Sequence, residues 1–189
     1  RYFNVQELVR LRAALEDEPA WLSAMIRFCL ASGLRKGELL SLPWSAIYLN
    51  SAEGAYLDVS QTKGGRSHRL ALTDDMIKTI LSIPRTHEKW VFPSPKQPTK
   101  HIADFKRHWQ RVRSKADLTD GTVHDMRRTT GSLMAQAGVS LQHIAQVLNH
   151  SSTEVTAVYA RLSRDSQREA LETMSGVLDE AFGDLQLEA

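Results

Sequence analysis

With 189 residues, 42% of them apolar, the chain is long enough to bury one core with a small appendage. It has no apolar run near the roughly 20 residues that a membrane-spanning helix needs, and its first residues lack the apolar segment of a signal peptide. The single cysteine, Cys29, excludes an intrachain disulfide and a cysteine-rich zinc site. We therefore expect a cytoplasmic protein without membrane association. The abrupt start, almost at the first predicted helix, indicates a piece of a longer protein.

Charge is distributed unevenly, although the net charge is only +2. Residues 61–115 hold 13 basic and 4 acidic side chains, a surplus of 9, together with four of the seven histidines. Residues 116–189 hold 5 basic and 11 acidic side chains. A basic stretch is often only a solvated surface, but so local a surplus also suits a polyanion such as DNA.

Helical spacing dominates the first part of the chain. Asn4 and Glu7 are spaced as a capping box for the first helix. Apolar residues then recur at helical spacing over residues 20–29, and Gly33 is placed to end this second helix. Cys29 lies on the apolar face of that helix, so we interpret it as a small buried hydrophobe and not as a nucleophile.

Three short runs with strand-like composition follow, with the sequences SAIYL, AYLDVS and RSHRLAL. Between the second and the third lies QTKGGR, whose paired glycines predict a hairpin turn. The alternation of His68, Leu70 and Leu72 predicts that one face of the third strand is buried.

The rest of the chain returns to helical spacing. Thr73 is a predicted N-cap, and predicted helices cover residues 74–82, 101–116, 125–137 and 141–148. One face of the predicted helix over 125–137 consists of Met126, Thr130, Leu133, Met134 and Ala137. The sequence therefore predicts an α+β fold that is mainly α-helical, with a small antiparallel β-sheet.

Several separated residues can bind an anionic group. Arg35 lies between a helix-ending glycine and a new helix, so a turn holds it in place for bidentate contact with an oxyanion, and Glu38 is spaced to orient it. Lys63 lies at the predicted hairpin tip. His124 and Arg127 are three residues apart at a helix start, where the helix dipole favours an anion.

His150 and Tyr159 follow in the stretch LNHSSTEVTAVYAR. Taken alone, each candidate has an ordinary structural explanation. Arg35 suits a salt bridge and Lys63 a solvated turn, while His150 suits a helix cap. A buried, hydrogen-bonded His124 and a Tyr159 at the edge of the core are equally ordinary. Short motifs also match by chance, so no single residue decides the function.

Together these residues resemble the catalytic set of the tyrosine recombinase (phage integrase) family, in the order Arg, Lys, His-x-x-Arg, His, Tyr. The six positions are Arg35, Lys63, His124, Arg127, His150 and Tyr159. The resemblance runs from SGLRKGELLSLPWSAI through QTKGGRSHRLAL to HDMRRTTGSLMAQAGVSLQHIAQVLNHSSTEVTAVYAR, and it implies the catalytic-domain fold of that family. Asn149 departs from the commoner Leu-Gly-His of the family, but asparagine tolerates left-handed backbone geometry.

The resemblance also implies roles for these residues. Two arginines would hold the charge that develops on a DNA phosphate, and Tyr159 would attack it to form a covalent 3′-phosphotyrosine. Lys63 would protonate the leaving 5′-hydroxyl, and His124 would relay protons for Tyr159. His150 takes the second histidine position. The chemistry needs neither ATP nor a metal, and the other histidines lack metal-ligand spacing, so we expect no cofactor and no metal.

We therefore expect a site-specific DNA recombinase (integrase) that acts in DNA integration or excision of a mobile element such as a prophage. Residues 1–162 would form the catalytic domain and residues 163–189 a C-terminal tail helix, with the family's N-terminal DNA-binding domain absent from this chain. The partner would be double-stranded DNA, contacted by Lys106, Arg107 and Arg111 on the basic helix. The family implies four protomers on paired DNA sites, while the isolated domain would be a monomer.

Two other functions remain open at this point. A type IB topoisomerase would use the same chemistry to relax supercoils, and a catalytically inert DNA-binding module would retain the pattern without the reaction. The tail also has two possible packing partners for an apolar stripe. The stripe consists of Leu171, Met174, Leu178 and Phe182, and it would pack on its own domain or on a neighbouring protomer.

Overall fold

A computed structural model describes residues 1–59, 68–97, 99–118, 120–150, 156–163, 171–172 and 174–175, with the backbone alone for 161–163. The helices are α1 (Val5–Ala14), α2 (Ala20–Ser32), α3 (Lys36–Leu40), α4 (Asp74–Leu81), α5 (Lys106–Lys115), α6 (Val123–Gln136) and α7 (Leu141–Val147). Short 3-10 helices cover Trp44–Ala46 and Ala157–Ser163, and the strands are β1 (Ile47–Tyr48), β2 (Tyr56–Val59) and β3 (His68–Ala71). The predicted mainly helical α+β fold is confirmed.

The chain divides into two compact units. The first contains residues 1–130 and 147–149, and it holds the sheet and one continuous apolar core. The second contains residues 131–146 and the described residues from 150 onward. In the part of the chain that the structure describes, no helix has both the length and the apolar character needed to cross a membrane.

The predicted capping box of α1, the predicted end of α2 and the predicted burial of Cys29 are confirmed. Asn4 Oδ1 accepts a hydrogen bond from the Glu7 amide at 2.9 Å, and Glu7 Oε2 accepts one from the Asn4 amide at 2.8 Å. Gly33 ends α2 with a left-handed φ of +62°, which an L side chain rarely adopts. Cys29 is buried, and this burial raises the pKa of its thiol to about 12, so the thiol is inert at neutral pH.

The three strands form an antiparallel sheet in the order β1-β2-β3. Leu57 on β2 lies opposite Leu70 on β3, and both face the core. His68 and Leu70 are buried while Arg69 and Ala71 are exposed, which confirms the predicted alternation along β3. The predicted hairpin turn and Lys63 lie outside the described residues.

One sequence-based prediction about a helix was wrong in detail. Helix α5 begins at Lys106 and not near His101, because the Ile102 amide donates to the Phe92 carbonyl and holds this segment extended. The predicted face of α6 is buried only in part, since Met126 and Thr130 are buried but Leu133 and Ala137 are exposed.

Polar residues take part of the buried face of α6 instead. Thr129 is fully buried, and its hydroxyl donates to the Asp125 carbonyl at 2.7 Å and accepts from the Phe3 amide at 2.9 Å. A buried hydroxyl with both bonds made carries little desolvation cost, which is why a polar residue occupies this position.

Candidate active site

Arg35 lies at the N-terminus of α3, where two elements fix it. The Glu38 carboxylate accepts from the Arg35 amide at 2.8 Å and from Arg35 Nη1 at 2.9 Å, so the predicted ion pair is confirmed. Arg35 Nη2 donates to the Asn149 carbonyl at 2.7 Å. The Glu38 side chain is 9% exposed and that of Arg35 is 42% exposed, so the guanidinium is held in place and remains accessible to a ligand.

Arg127 is buried, unlike Arg35, and it binds the carbonyl next to the one that Arg35 binds. It is only 5% exposed, its Nη1 donates to the Gly33 carbonyl at 2.6 Å, and its Nη2 donates to the Leu148 carbonyl. Its neighbour Arg128 is exposed and pairs with Asp125 at 3.0 Å. The structure distinguishes the two adjacent arginines by burial and by partner.

Three consecutive backbone carbonyls meet side chains from three parts of the first unit. The Val147 carbonyl accepts from His68 Nε2 at 3.1 Å, and the carbonyls of Leu148 and Asn149 accept from Arg127 and Arg35. Carbonyls at a helix C-terminus have no partner within the helix, so these donors satisfy them.

The backbone of this segment also adopts the geometry that the sequence allowed. Asn149 has a left-handed φ of +47°, as expected for an asparagine that replaces glycine at this point. The alternation along β3 indicates no functional role for His68. Its contact with Val147, 79 residues away, distinguishes it from an ordinary core histidine.

Two histidines of the first unit, His68 and His124, favour the neutral state. The pKa of His124 is lowered, chiefly by partial desolvation and then by the charges of Arg128 and Arg127. The pKa of His68 is also lowered, chiefly by burial, although its bond to Val147 and the Glu38 carboxylate oppose the shift. A neutral imidazole can accept a proton at neutral pH, so His124 has the protonation state of a general base.

His150 and Tyr159 belong to the second unit. His150 Nδ1 lies 2.8 Å from Thr156 Oγ1, and the His150 amide donates to the Ala145 carbonyl at 2.9 Å. Tyr159 is buried and lies directly on the backbone of Gly131. A Cβ atom at Gly131 would be 2.5 Å from Tyr159 Cζ and 2.8 Å from its hydroxyl oxygen, so this position requires glycine.

The three predicted DNA contacts on α5 differ in their surroundings. Lys106 and Arg107 are exposed, whereas Arg111 is bound to the Glu18 carboxylate through Nε at 2.9 Å and through Nη2. The Glu18 side chain is 2% exposed, and its contacts with Arg111 and Lys115 lower its pKa to about 2. Among the described residues, no group of three His, Cys, Asp or Glu side chains could hold a metal ion.

The sequence model of the phage integrase family matches residues 1–165. The chain belongs to the phage integrase family. The integrase of Salmonella phage P22 is 26% identical over 153 residues, which cover 75% of this chain and 39% of that protein. The first three curated relatives are named as an integrase and tyrosine recombinases, and this chain spans between 39% and 58% of their length.

Solved structures of this family share the fold of the chain. The catalytic domain of bacteriophage HP1 integrase superposes with a TM-score of 0.67 at 19% identity, over 100% of this chain and 98% of that one. The XerH site-specific recombinase in its post-cleavage complex with difH superposes with a TM-score of 0.70 at 17% identity, over 92% and 53%. The predicted recombinase catalytic-domain fold is confirmed.

The lowered pKa values of His68 and His124 predict that this integrase-family chain loses stability in mild acid. At pH values between the histidine pKa of the folded protein and the unfolded value of 6.5, the unfolded state binds more protons than the folded state. The contribution of these histidines to the free energy of unfolding is therefore fully present above pH ~6.5, and it is lost as the pH falls towards their pKa in the folded protein. Urea unfolding should show a lower free energy of unfolding at pH about 5.5 than at about 7.5. His124→Gln should reduce this dependence; identical pH dependence in the parent and the variant would contradict the assignment.

Gly131→Ala should destabilise the protein, although alanine in a helix interior normally stabilises by about 1 kcal/mol relative to glycine. The added methyl would overlap the Tyr159 ring, and such overpacking typically costs about 1–3 kcal/mol. Gly37→Ala is the matched control, since nothing lies within 4 Å of its Cβ position. Urea unfolding should separate the two variants, and Tyr159→Ala should relieve the cost of Gly131→Ala. Equal stabilities of the two glycine variants would mean that the ring does not rest on Gly131.

Proposed function

We propose that the chain is the catalytic domain of a site-specific DNA recombinase, which cleaves and rejoins DNA through a covalent 3′-phosphotyrosine during integration or excision of a mobile element. The observation that carries the proposal is the fixed pair of arginines, Arg35 and Arg127, bound to adjacent carbonyls directly before His150 in the sequence. Membership of the phage integrase family supports it. So does the likeness to XerH, which is described in pre-cleavage and post-cleavage complexes with difH.

In this proposal the arginines bind the non-bridging oxygens of the scissile phosphate. Negative charge grows on those oxygens as the phosphorus is attacked, so donors fixed beforehand stabilise the transition state more than the ground state. Arginines that act this way in phosphoryl transfer are worth about 10³-fold or more in rate. Glu38 contributes by orienting Arg35 and does not itself contact the phosphate.

Tyr159 acts as the nucleophile. Its hydroxyl oxygen forms a bond to phosphorus while the bond from phosphorus to the 5′-oxygen breaks. A tyrosine hydroxyl has a reference pKa of ~10 and is protonated at neutral pH, so neutral His124 takes the proton of Tyr159 as the bond forms. Lys63 protonates the departing 5′-oxygen, and His150 donates to the phosphate. A 5′-hydroxyl attacks the phosphotyrosine in the reverse step, so rejoining needs no external energy source.

Double-stranded DNA is the proposed partner, with contacts from Lys106 and Arg107. Arg111 is the weaker of the three predicted contacts, because Glu18 already binds it. We propose that residues 1–162 form the catalytic domain and that four protomers assemble on paired sites, with the isolated domain monomeric. The tail over residues 163–189 then packs on a neighbouring protomer. Two described residues of its apolar stripe support this, since Leu171 is 60% and Met174 51% exposed.

Tyr159→Phe should abolish covalent attachment to DNA while folding and DNA affinity stay unchanged, because only the hydroxyl is removed. The substrate is a pool of nicked duplexes with randomised cores, and denaturing gels followed by sequencing identify the attached DNA. Tyr48→Phe, at an exposed strand position, is the matched control and should form adduct as the parent does. Adduct in Tyr159→Phe would place the nucleophile elsewhere. Absence of adduct in the parent would favour a DNA-binding module, and supercoil relaxation by the monomer would favour a topoisomerase.

DNA binding should weaken with salt in proportion to the phosphates contacted. Each neutralised phosphate contributes about −0.9 to the slope of log affinity against log salt, so Lys106→Gln with Arg107→Gln should flatten the slope by about 1.8. Arg111→Gln should leave the slope nearly unchanged and instead lower the Tm, since it removes a partner of the buried Glu18 carboxylate. Fluorescence anisotropy over a salt series measures the slope. A double variant with the slope of the parent would mean that this face of α5 lies away from DNA.

Deletion of residues 176–189 should leave a folded protein whose assembly on DNA is altered and whose cleavage as an isolated domain is unchanged or raised. The expectation follows from the exposure of Leu171 and Met174, the two described residues of the apolar stripe, in the single chain. Analytical ultracentrifugation with DNA measures assembly, and Leu171→Ser with Met174→Ser tests the stripe at full length. If the truncation lowers the Tm strongly and the parent never assembles, the tail is part of its own domain's core.

A further inference from the structure

His68 contacts the same short backbone segment as the two arginines. Its Nε2 lies 3.1 Å from the Val147 carbonyl, the first of the three consecutive carbonyls. A carbonyl oxygen only accepts, so the hydrogen must reside on Nε2. The ring is buried on β3, at the point where the sheet meets this segment.

We infer that His68 is a positioning residue of the active site, which holds the backbone at residues 147–149 so that Arg35 and Arg127 keep one geometry. The inference rests on the proposed recombinase function. Each arginine binds a carbonyl of this segment, so a shift of the segment would move both guanidiniums. His68, on β3, fixes the neighbouring Val147 carbonyl.

The surroundings of His68 favour a neutral donor over a charged one. Burial of the ring acts most strongly against protonation. The bond to Val147 and the Glu38 carboxylate favour protonation, and the charges of Arg127 and Arg35 oppose it. A lysine or arginine in place of His68 would add a third positive charge to this group. Neutral imidazole offers one hydrogen-bond donor without that charge, which explains the residue type.

His68 also follows the predicted hairpin lysine, Lys63, by five residues on the way into β3. The strand that leads away from the proposed proton donor is thus hydrogen-bonded to the segment that holds the proposed phosphate ligands. Catalysis depends on small displacements, since a misplacement of about 1 Å can cost about 100-fold in rate. Loss of the His68 bond should therefore affect the chemical step more than DNA binding.

The test compares His68→Gln, which retains an N–H donor, with His68→Leu, which fills similar space without one. We expect His68→Leu to form covalent adduct about 10- to 100-fold more slowly at saturating DNA, with the Kd for DNA within about twofold of the parent. His68→Gln should restore most of the rate. His143→Leu, at an exposed histidine, is the control and should react as the parent does.

A second measurement does not depend on activity. Nitrogen-15 NMR of the parent without DNA should show His68 as the neutral Nε2–H tautomer at pH 7, with its ring proton slow to exchange. Hydrogen exchange at the amides of residues 148–150 should be faster in His68→Leu than in His68→Gln.

The outcomes separate this inference from the proposed function. Equal adduct rates for His68→Leu and the parent, or equally slow rates for both His68 variants, would overturn the positioning role. If no protein forms adduct, the recombinase proposal fails, and the tautomer and hydrogen exchange still decide whether His68 holds the segment. If His68→Leu does not fold, the adduct rate of His68→Gln and the His68 tautomer of the parent protein are used as the test. An Nδ1–H tautomer of His68 would refute the inference.

Discussion

The arrangement of the candidate site depends on three hydrogen bonds to one short stretch of backbone. The carbonyls of residues 147–149 accept from His68, Arg127 and Arg35, which come from β3, α6 and the N-terminus of α3. Carbonyls at a helix end have no partner within the helix. The three donors supply these hydrogen bonds, and the same bonds hold the donor side chains in place. The left-handed Asn149 ends the segment just before His150.

The choice of partner for each arginine has electrostatic consequences. Backbone carbonyl oxygens accept from the buried Arg127 guanidinium, and these charge-assisted hydrogen bonds lower the cost of its burial. Arg35 receives one carboxylate and one carbonyl and stays partly exposed. Arg111 differs from both, because its guanidinium forms a salt bridge with the carboxylate of the buried Glu18. We thus propose that Arg35 and Arg127 bind the ligand, whereas Arg111 supports the fold.

The core supports the site through the start of α6. Asp125 accepts from the Thr122 amide and hydroxyl at 2.8 and 2.6 Å, which fixes the N-terminus of the helix beside His124. Thr129 links this helix to the Phe3 amide, and the buried Phe3 ring packs against Trp109 of α5 with ring centroids 6.2 Å apart. The position of His124 and Arg127 therefore depends on contacts that reach the first residues of the chain.

The sequence by itself determined features whose causes lie within a few residues. The capping box at Asn4, the left-handed Gly33, the alternation along β3 and the ion pair of Arg35 with Glu38 all follow from local spacing, because the groups that interact are neighbours along the backbone. The order of candidate residues was likewise readable as a family pattern. These signals were sufficient for the fold class and for the identity of the family.

Only the tertiary structure decided which side chains share a partner. The contact of His68 with Val147 spans 79 residues, and that of Arg111 with Glu18 spans 93. The exposure of Leu133 and the late start of α5 likewise depend on which surfaces the fold covers. Periodicity reports which face of a helix is apolar, but whether that face meets the core, and which distant donor reaches a given carbonyl, depends on packing between elements that the local sequence does not encode.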